Sequence, residues 1–189
     1  NTGTNGFPTT GFDRIEIACA PNNAAVAYAL LENPSNSDLL GVFKTTNTGS
    51  TWTQMTSPVD ADGGVTPGFT RGQAWYDFSL AVDPNNANTL FAGGIDLFRS
   101  TDGASSWSQV SHWYGGFSFQ EVHADQHSAV YEPGNSNVIY FGNDGGIWRT
   151  GDATVSMPNI SSRNSGYNVT QFYSCAIHPT AYSSYFLAG

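Results

Sequence analysis

Thr45-Thr46-Asn47-Thr48-Gly49-Ser50-Thr51-Trp52 and Ser100-Thr101-Asp102-Gly103-Ala104-Ser105-Ser106-Trp107 align without a gap, 55 positions apart, and the likeness runs on to Gln54 and Gln109. In each, an Asx side chain two places after a Ser or Thr is short enough to bond nearby backbone amides and close a tight turn. The Trp that ends each octet offers a large apolar face to a core. Immediately before the turns stand Val42-Phe43-Lys44-Thr45 and Leu97-Phe98-Arg99-Ser100, with Ile147-Trp148-Arg149-Thr150 as a third copy. Their apolar and polar residues alternate with the period of a strand. The unit is therefore strand, Asx turn, strand.

Working outward, four prolines, Pro21, Pro84, Pro133 and Pro179, mark a second register of the same repeat at intervals of 63, 49 and 46 residues. An apolar-rich run precedes each one, from Ile15-Glu16-Ile17-Ala18-Cys19-Ala20 to Tyr173-Ser174-Cys175-Ala176-Ile177-His178. Seven residues after each proline comes an aromatic, Tyr28, Phe91, Tyr140 or Phe186. Proline fixes φ and the following Asn residues bond locally, so the two runs read as a hairpin. Four short antiparallel strands at this spacing are the sequence pattern of a β-propeller blade. The predicted fold is all-β: about three and a half blades of an incomplete propeller, with a lead-in at 1–12 and blades at 13–57, 75–112, 122–160 and, unfinished, 170–189. A propeller closes with roughly 4 to 8 blades, so a larger propeller is expected around this piece. Trp52 and Trp107 are expected in equivalent buried positions.

The pattern Ser/Thr-x-Asp-x-Gly-x-Ser/Thr-Trp at 45–52 and 100–107 resembles the Asp-box, or bacterial neuraminidase repeat, of sialidase-like, sortilin-like and xyloglucanase-like propellers. Asn47 stands where the Asp is usual, Ala104 where the Gly is usual, and the third copy at Thr150-Gly151-Asp152 is a remnant without a Trp. The resemblance implies that these turns lie away from the ligand face. Asn143-Asp144-Gly145-Gly146-Ile147-Trp148-Arg149 resembles the Thr-Asp-x-Gly-Gly-x-Tyr-Arg segment of xyloglucanase-like propellers, one residue shorter before the glycine pair. That likeness makes Asp144 a candidate catalytic carboxylate, set against the plain reading of an Asp-Gly hairpin turn. The arginine set of a sialidase is not recognisable, and no nucleophile elbow supports a Ser-His-Asp triad.

Composition narrows the classes further. Six Lys and Arg against fifteen Asp and Glu give a net charge of −9, which repels nucleic acid and anionic lipid. No apolar run is long enough to insert into a membrane. Lys44 is the sole lysine and the loops are rich in Asn, Ser, Thr and Gly, a style associated with secreted or cell-surface proteins whose export signal has been removed. Cys19 and Cys175 lack the spacing of a disulfide framework, zinc site or redox site and are read as small buried apolar residues. No cofactor is expected.

A first strand lines a propeller's channel, so the residues just ahead of it rim the mouth. That places Asp13, Arg14, Tyr76, Asp77, Asp125, Gln126 and His127 together, with Gln171 and Phe172 in the fourth copy and Trp75 and Trp113 as stacking walls for sugar rings. A ring of polar residues in a wet channel is the simpler alternative. His123, Asp125 and His127 alternate on one strand face as a metal candidate, but the outer two are then about 13 Å apart at Cα, which favours a hydrogen-bond network. Asn159 and Asn168 begin N-glycosylation patterns. The functional expectation is a carbohydrate-binding or scaffold segment whose partners are a carbohydrate or extracellular glycoprotein and the remaining blades. Part of a two-carboxylate glycoside hydrolase is the alternative.

Overall fold

The computed structural model describes residues 5–62, 68–167, 174–180 and 184–188. Its strands are β1 (Ile15–Cys19), β2 (Ala27–Asn33), β3 (Asp38–Thr45), β4 (Thr53–Met55), β5 (Ser79–Val82), β6 (Leu90–Gly93), β7 (Leu97–Ser100), β8 (Ser108–Gln109), β9 (Gln126–Tyr131), β10 (Ile139–Asn143), β11 (Gly146–Thr150), β12 (Ile160–Ser162), β13 (Cys175–Ile177) and β14 (Phe186–Ala188). Three four-stranded antiparallel meanders, β1 to β4, β5 to β8 and β9 to β12, are followed by the pair β13 and β14, and no helix occurs among the described residues. These are blades of a partial β-propeller, with β5 packed between β1 and β9 as the innermost strands.

The repeat survives at the level of single hydrogen bonds. The residue before each of the first three prolines donates its amide to the carbonyl six positions on: Ala20 to Val26, Asp83 to Thr89 and Glu132 to Val138. The Asx turns bond to these proline turns, through Thr48 to Ala25, Gly103 to Asn88 and Ala153 to Asn137. The third turn, reduced in sequence, thus holds the same place as the other two. Strand direction puts both sets of turns at one end of the molecule and the start of β1, β5 and β9 at the other. Gln171, Phe172 and the Asn168 pattern lie outside the described residues.

Alternation along the strands sends side chains into two inter-blade cores. On β6, Leu90 and Ala92 join Tyr28, Leu30, Phe69, Phe78 and Phe98 between the first two blades. Phe91, on the opposite face of the same strand, joins Tyr131, Ile139 and Phe141 between the second and third. The outer side of the first blade is covered by the lead-in, whose Phe7 packs 4.8 Å from Trp52 and 5.4 Å from Phe43. Trp52 and Trp107 are half-buried rather than buried, because each caps the edge of a core. Their surroundings also differ: the Trp107 indole donates to the Thr56 carbonyl at 2.8 Å, whereas Trp52 packs on Phe7. Cys19 and Cys175 are exposed, not buried, since neither faces a covered side of its strand.

Candidate functional site

At the end away from the Asx turns, three side chains from two blades meet. Asp144 lies in the turn between β10 and β11, where the Asn143 side chain caps the Gly145 amide at 3.0 Å. Gly146 has φ +104°, and a Cβ on Gly145 would meet His123 Cβ at 2.4 Å, so the glycine pair is dictated by backbone shape and close approach. A bulge between Gly142 and Asn143 pairs Asn143 with Gln126 and passes over His127, leaving that residue out of register at the strand's mouth. Its Nε2 lies 2.6 Å from Asp144 Oδ1. Tyr76, just ahead of β5, reaches over from the second blade and its hydroxyl donates to both Asp144 oxygens at 3.0 Å. The Tyr76 and His127 rings stand edge to face, 4.7 Å between centroids, and Trp75 adds an exposed indole 5.4 Å from Tyr76.

Partial burial pushes the Asp144 pKa up, but the hydrogen bonds from His127 and Tyr76 outweigh it and hold the carboxyl below its ordinary value. Asp144 is an ionised acceptor. Asp125, at φ +65°, is raised by burial and then by the Asp144 charge. Asp77 is fully buried behind this group, and its carboxylate oxygens meet no donor beyond its own backbone amide. Burial and then Asp125 push it up to about 8.

The remaining expected residues divide by placement. Gln126 is fully buried and spends its amide on His123 O at 2.6 Å and Asn143 Nδ2 at 3.3 Å, stitching the turn together. Arg14 donates to the carbonyls of Ala74 and Phe78 at 3.3 and 3.1 Å, bracing the segment that carries Trp75 and Tyr76. Asp13 lies exposed ahead of β1. Trp113 is at the same end but belongs to a different cluster, with Tyr114 4.6 Å away and His112 6.5 Å away. The His123 ring turns to the Ala124 carbonyl, and His123, Asp125 and His127 do not gather as a chelating group among the described residues. The group that does gather is Asp60, Asp62 and His112, separated by about fifty residues in sequence and signalled by no motif. Nor does any spacing foretell that Tyr76 pairs with Asp144 across 68 positions.

A carboxylate flanked by a phenol and an imidazole, beside an exposed indole, accepts paired hydroxyls while a ring stacks on the aromatic wall. No family model matches the chain. Its sequence is similar to a xyloglucanase of Hypocrea jecorina, 30% identical over 160 residues, which are 80% of this chain and 17% of that protein. It is also similar to the xyloglucanase Xgh74A of Acetivibrio thermocellus, 32% identical over 93 residues, 48% of this chain and 10% of that one. The chain therefore spans no more than about a sixth of the length of these relatives. Among solved structures, the GH74 enzyme of Niastella koreensis superposes with a TM-score of 0.50 and 23% identity over 72% of this chain and 21% of its own. The GH74 xyloglucanase of Xanthomonas campestris gives 0.50 and 20% over 76% and 22%. At these identities the structures speak to fold alone, and the fold they share with this chain is a run of consecutive blades of a β-propeller.

Proposed function

We propose that the chain is the part of a secreted, glycoside-hydrolase-type propeller that forms its polysaccharide-binding mouth, with Asp144, Tyr76 and His127 as the contact group and Trp75 as a stacking wall. The carrying observation is the convergence of three polar side chains from two blades on one ionised carboxylate. Relatives named xyloglucanases supply the ligand class, a xyloglucan. On this reading the blades run 13–57, 75–112 and 122–160, a further one begins at 170, and the other blades of the same propeller are the chain's protein partner. Asp125 tunes the mouth, while Asp77, Gln126 and Arg14 hold it in shape. The test is isothermal titration with xyloglucan oligosaccharides: Asp144→Ala and Tyr76→Phe are expected to weaken binding about tenfold or more, the loss of one or two hydrogen bonds to a charged group. Unaltered affinity in both variants would overturn the reading.

A second reading is that Asp144 is a catalytic base. Its depressed pKa and the names of the relatives favour it. Asp125 is not read as its partner, because burial and the Asp144 charge act on it from the same rim, whereas two-carboxylate hydrolysis sets its groups roughly 5 to 9.5 Å apart on either side of the bond to be cut. The acid would come from the opposite wall of a cleft, so this chain alone binds without cleaving. Loss of reducing-end release on Asp144→Asn in the complete propeller, with no cleavage by the chain alone, would favour this second reading.

A further inference from the structure

A second polar cluster lies at the same end of the molecule, beside Trp113 and Tyr114. Asp60 and Asp62 follow β4, Arg71 lies in a later turn of the same connection, His112 stands just past β8 and Asp96 sits between β6 and β7. Arg71 Nη2 bonds Asp60 at 2.9 Å and Asp62 at 2.5 Å, the Asp62 amide donates to Asp60 Oδ1 at 2.9 Å, and the Tyr114 hydroxyl donates to Asp62 Oδ1 at 3.0 Å. One ligand atom from each of Asp60, Asp62 and His112 lies within 4.8 Å of the other two. An ion about 2.0 to 2.2 Å from each would draw these atoms to within about 4.4 Å of one another, a small inward shift.

Two further observations concern unpartnered buried atoms at this cluster. His112 is fully buried and neither ring nitrogen has a hydrogen-bond partner, yet Nε2 is aimed at Asp62 Oδ2 from 3.3 Å. A buried imidazole without partners marks either strain or an atom that belongs beside it. Asp96 is also fully buried, and its Oδ1 is unpartnered. Two carboxylates thus share one guanidinium beside an unpartnered buried imidazole. We propose that Asp60, Asp62 and His112 bind a first-row transition dication, Zn²⁺ or Mn²⁺. Two carboxylates and an imidazole suit these ions, whereas Ca²⁺ and Mg²⁺ prefer oxygen alone. A carboxylate oxygen keeps a lone pair after accepting from Arg71, so ion and guanidinium share the two aspartates. The ion ties the loop after β4 to the end of β8 and so fixes the position of the exposed Tyr114 and Trp113.

The test is calorimetric titration of the chelator-treated chain, with Cys19 and Cys175 alkylated, using ZnCl₂, MnCl₂ and CaCl₂. One saturable Zn²⁺ or Mn²⁺ site is expected, weakened about tenfold or more by Asp62→Asn and unchanged by Asp144→Asn or His127→Gln. Should Asp62→Asn fail to fold, Co²⁺ bound to the unsubstituted chain is expected to show visible d–d bands that excess Zn²⁺ abolishes. Absence of saturable binding, equal affinity for Ca²⁺, or loss of binding in the Asp144 or His127 variant instead would overturn the proposal.

Discussion

Asp77 shows how a residue chosen by position acts through its surroundings. It stands one step behind Tyr76, closed off from solvent, so its carboxyl acts only on the residues packed around it. Its folded-state pKa of about 8 lies above the ordinary 3.8, so the folded chain holds this proton more tightly than the unfolded chain does. Stability from this group is complete below about pH 4 and declines as pH climbs toward 8. Asp77→Asn, neutral and similar in shape, is expected to flatten that decline. Urea midpoints at pH 5 and pH 8 check it, and a drop as large as that of the unsubstituted chain would refute the assignment; Asp96 leaves some slope behind, since burial raises it too. Asp144 was visible in the sequence through a motif, and His127 through its place ahead of a proline turn. Their grip on each other was not, because it depends on a one-residue bulge that shifts His127 out of register.

Among the elements, the Asx turns carry the repeat. Asp102 accepts from the Ser105 and Ser106 amides at 3.0 and 2.9 Å and from the Ser106 hydroxyl at 2.6 Å. Those donors, the Ser106 hydroxyl first, hold its carboxyl down at about 2. Asn47 makes the corresponding bonds without charge, accepting from the Thr51 amide at 2.9 Å and donating to the Thr51 hydroxyl at 2.8 Å. The depressed value means that the Asp102 contribution is present above about pH 4 and lost as pH falls through about 2. Asp102→Asn is therefore expected to reduce acid sensitivity in that window, and Asp102→Ala to cost about 1 to 2 kcal/mol at neutral pH, read from thermal melts. An acid limb of unchanged steepness in the Asn variant would contradict this. The third turn shows why sequence understated the repeat: Asp152 reaches the Asn159 amide, seven residues on instead of four, so a longer loop closes the same element without the motif's Trp. Proline turns were legible throughout because fixed φ is written in one residue, whereas the half-burial of Trp52 depends on where Phe7 comes to rest.

At the scale of the molecule, stability resides between blades. Phe91 is fully buried and packs 5.5 Å from Phe141 and 6.2 Å from Tyr131, across the second and third blades. Phe91→Ala is expected to cost about 3 to 5 kcal/mol, whereas Trp52→Ala, at a half-exposed edge, costs about 2 kcal/mol. Denaturant unfolding of both variants checks the order, and a reversed ranking would place the main core elsewhere. Blade number and strand order were readable because every ladder joins strands that are neighbours in sequence. The clusters at the mouth were not, because they join residues from different blades. The bond between Tyr76 and Asp144 carries a consequence for biosynthesis. A chain emerging from the ribosome builds blades in order, N-terminal first. Tyr76 emerges early, but its acceptor follows 68 residues later, with the six strands β5 to β10 between them. A nascent or prematurely terminated chain that stops short of Asp144 would hold β1 to β8 without the acceptor of Tyr76, so on the proposed function competence for binding arrives in a single step when the blade of β9 to β12 docks.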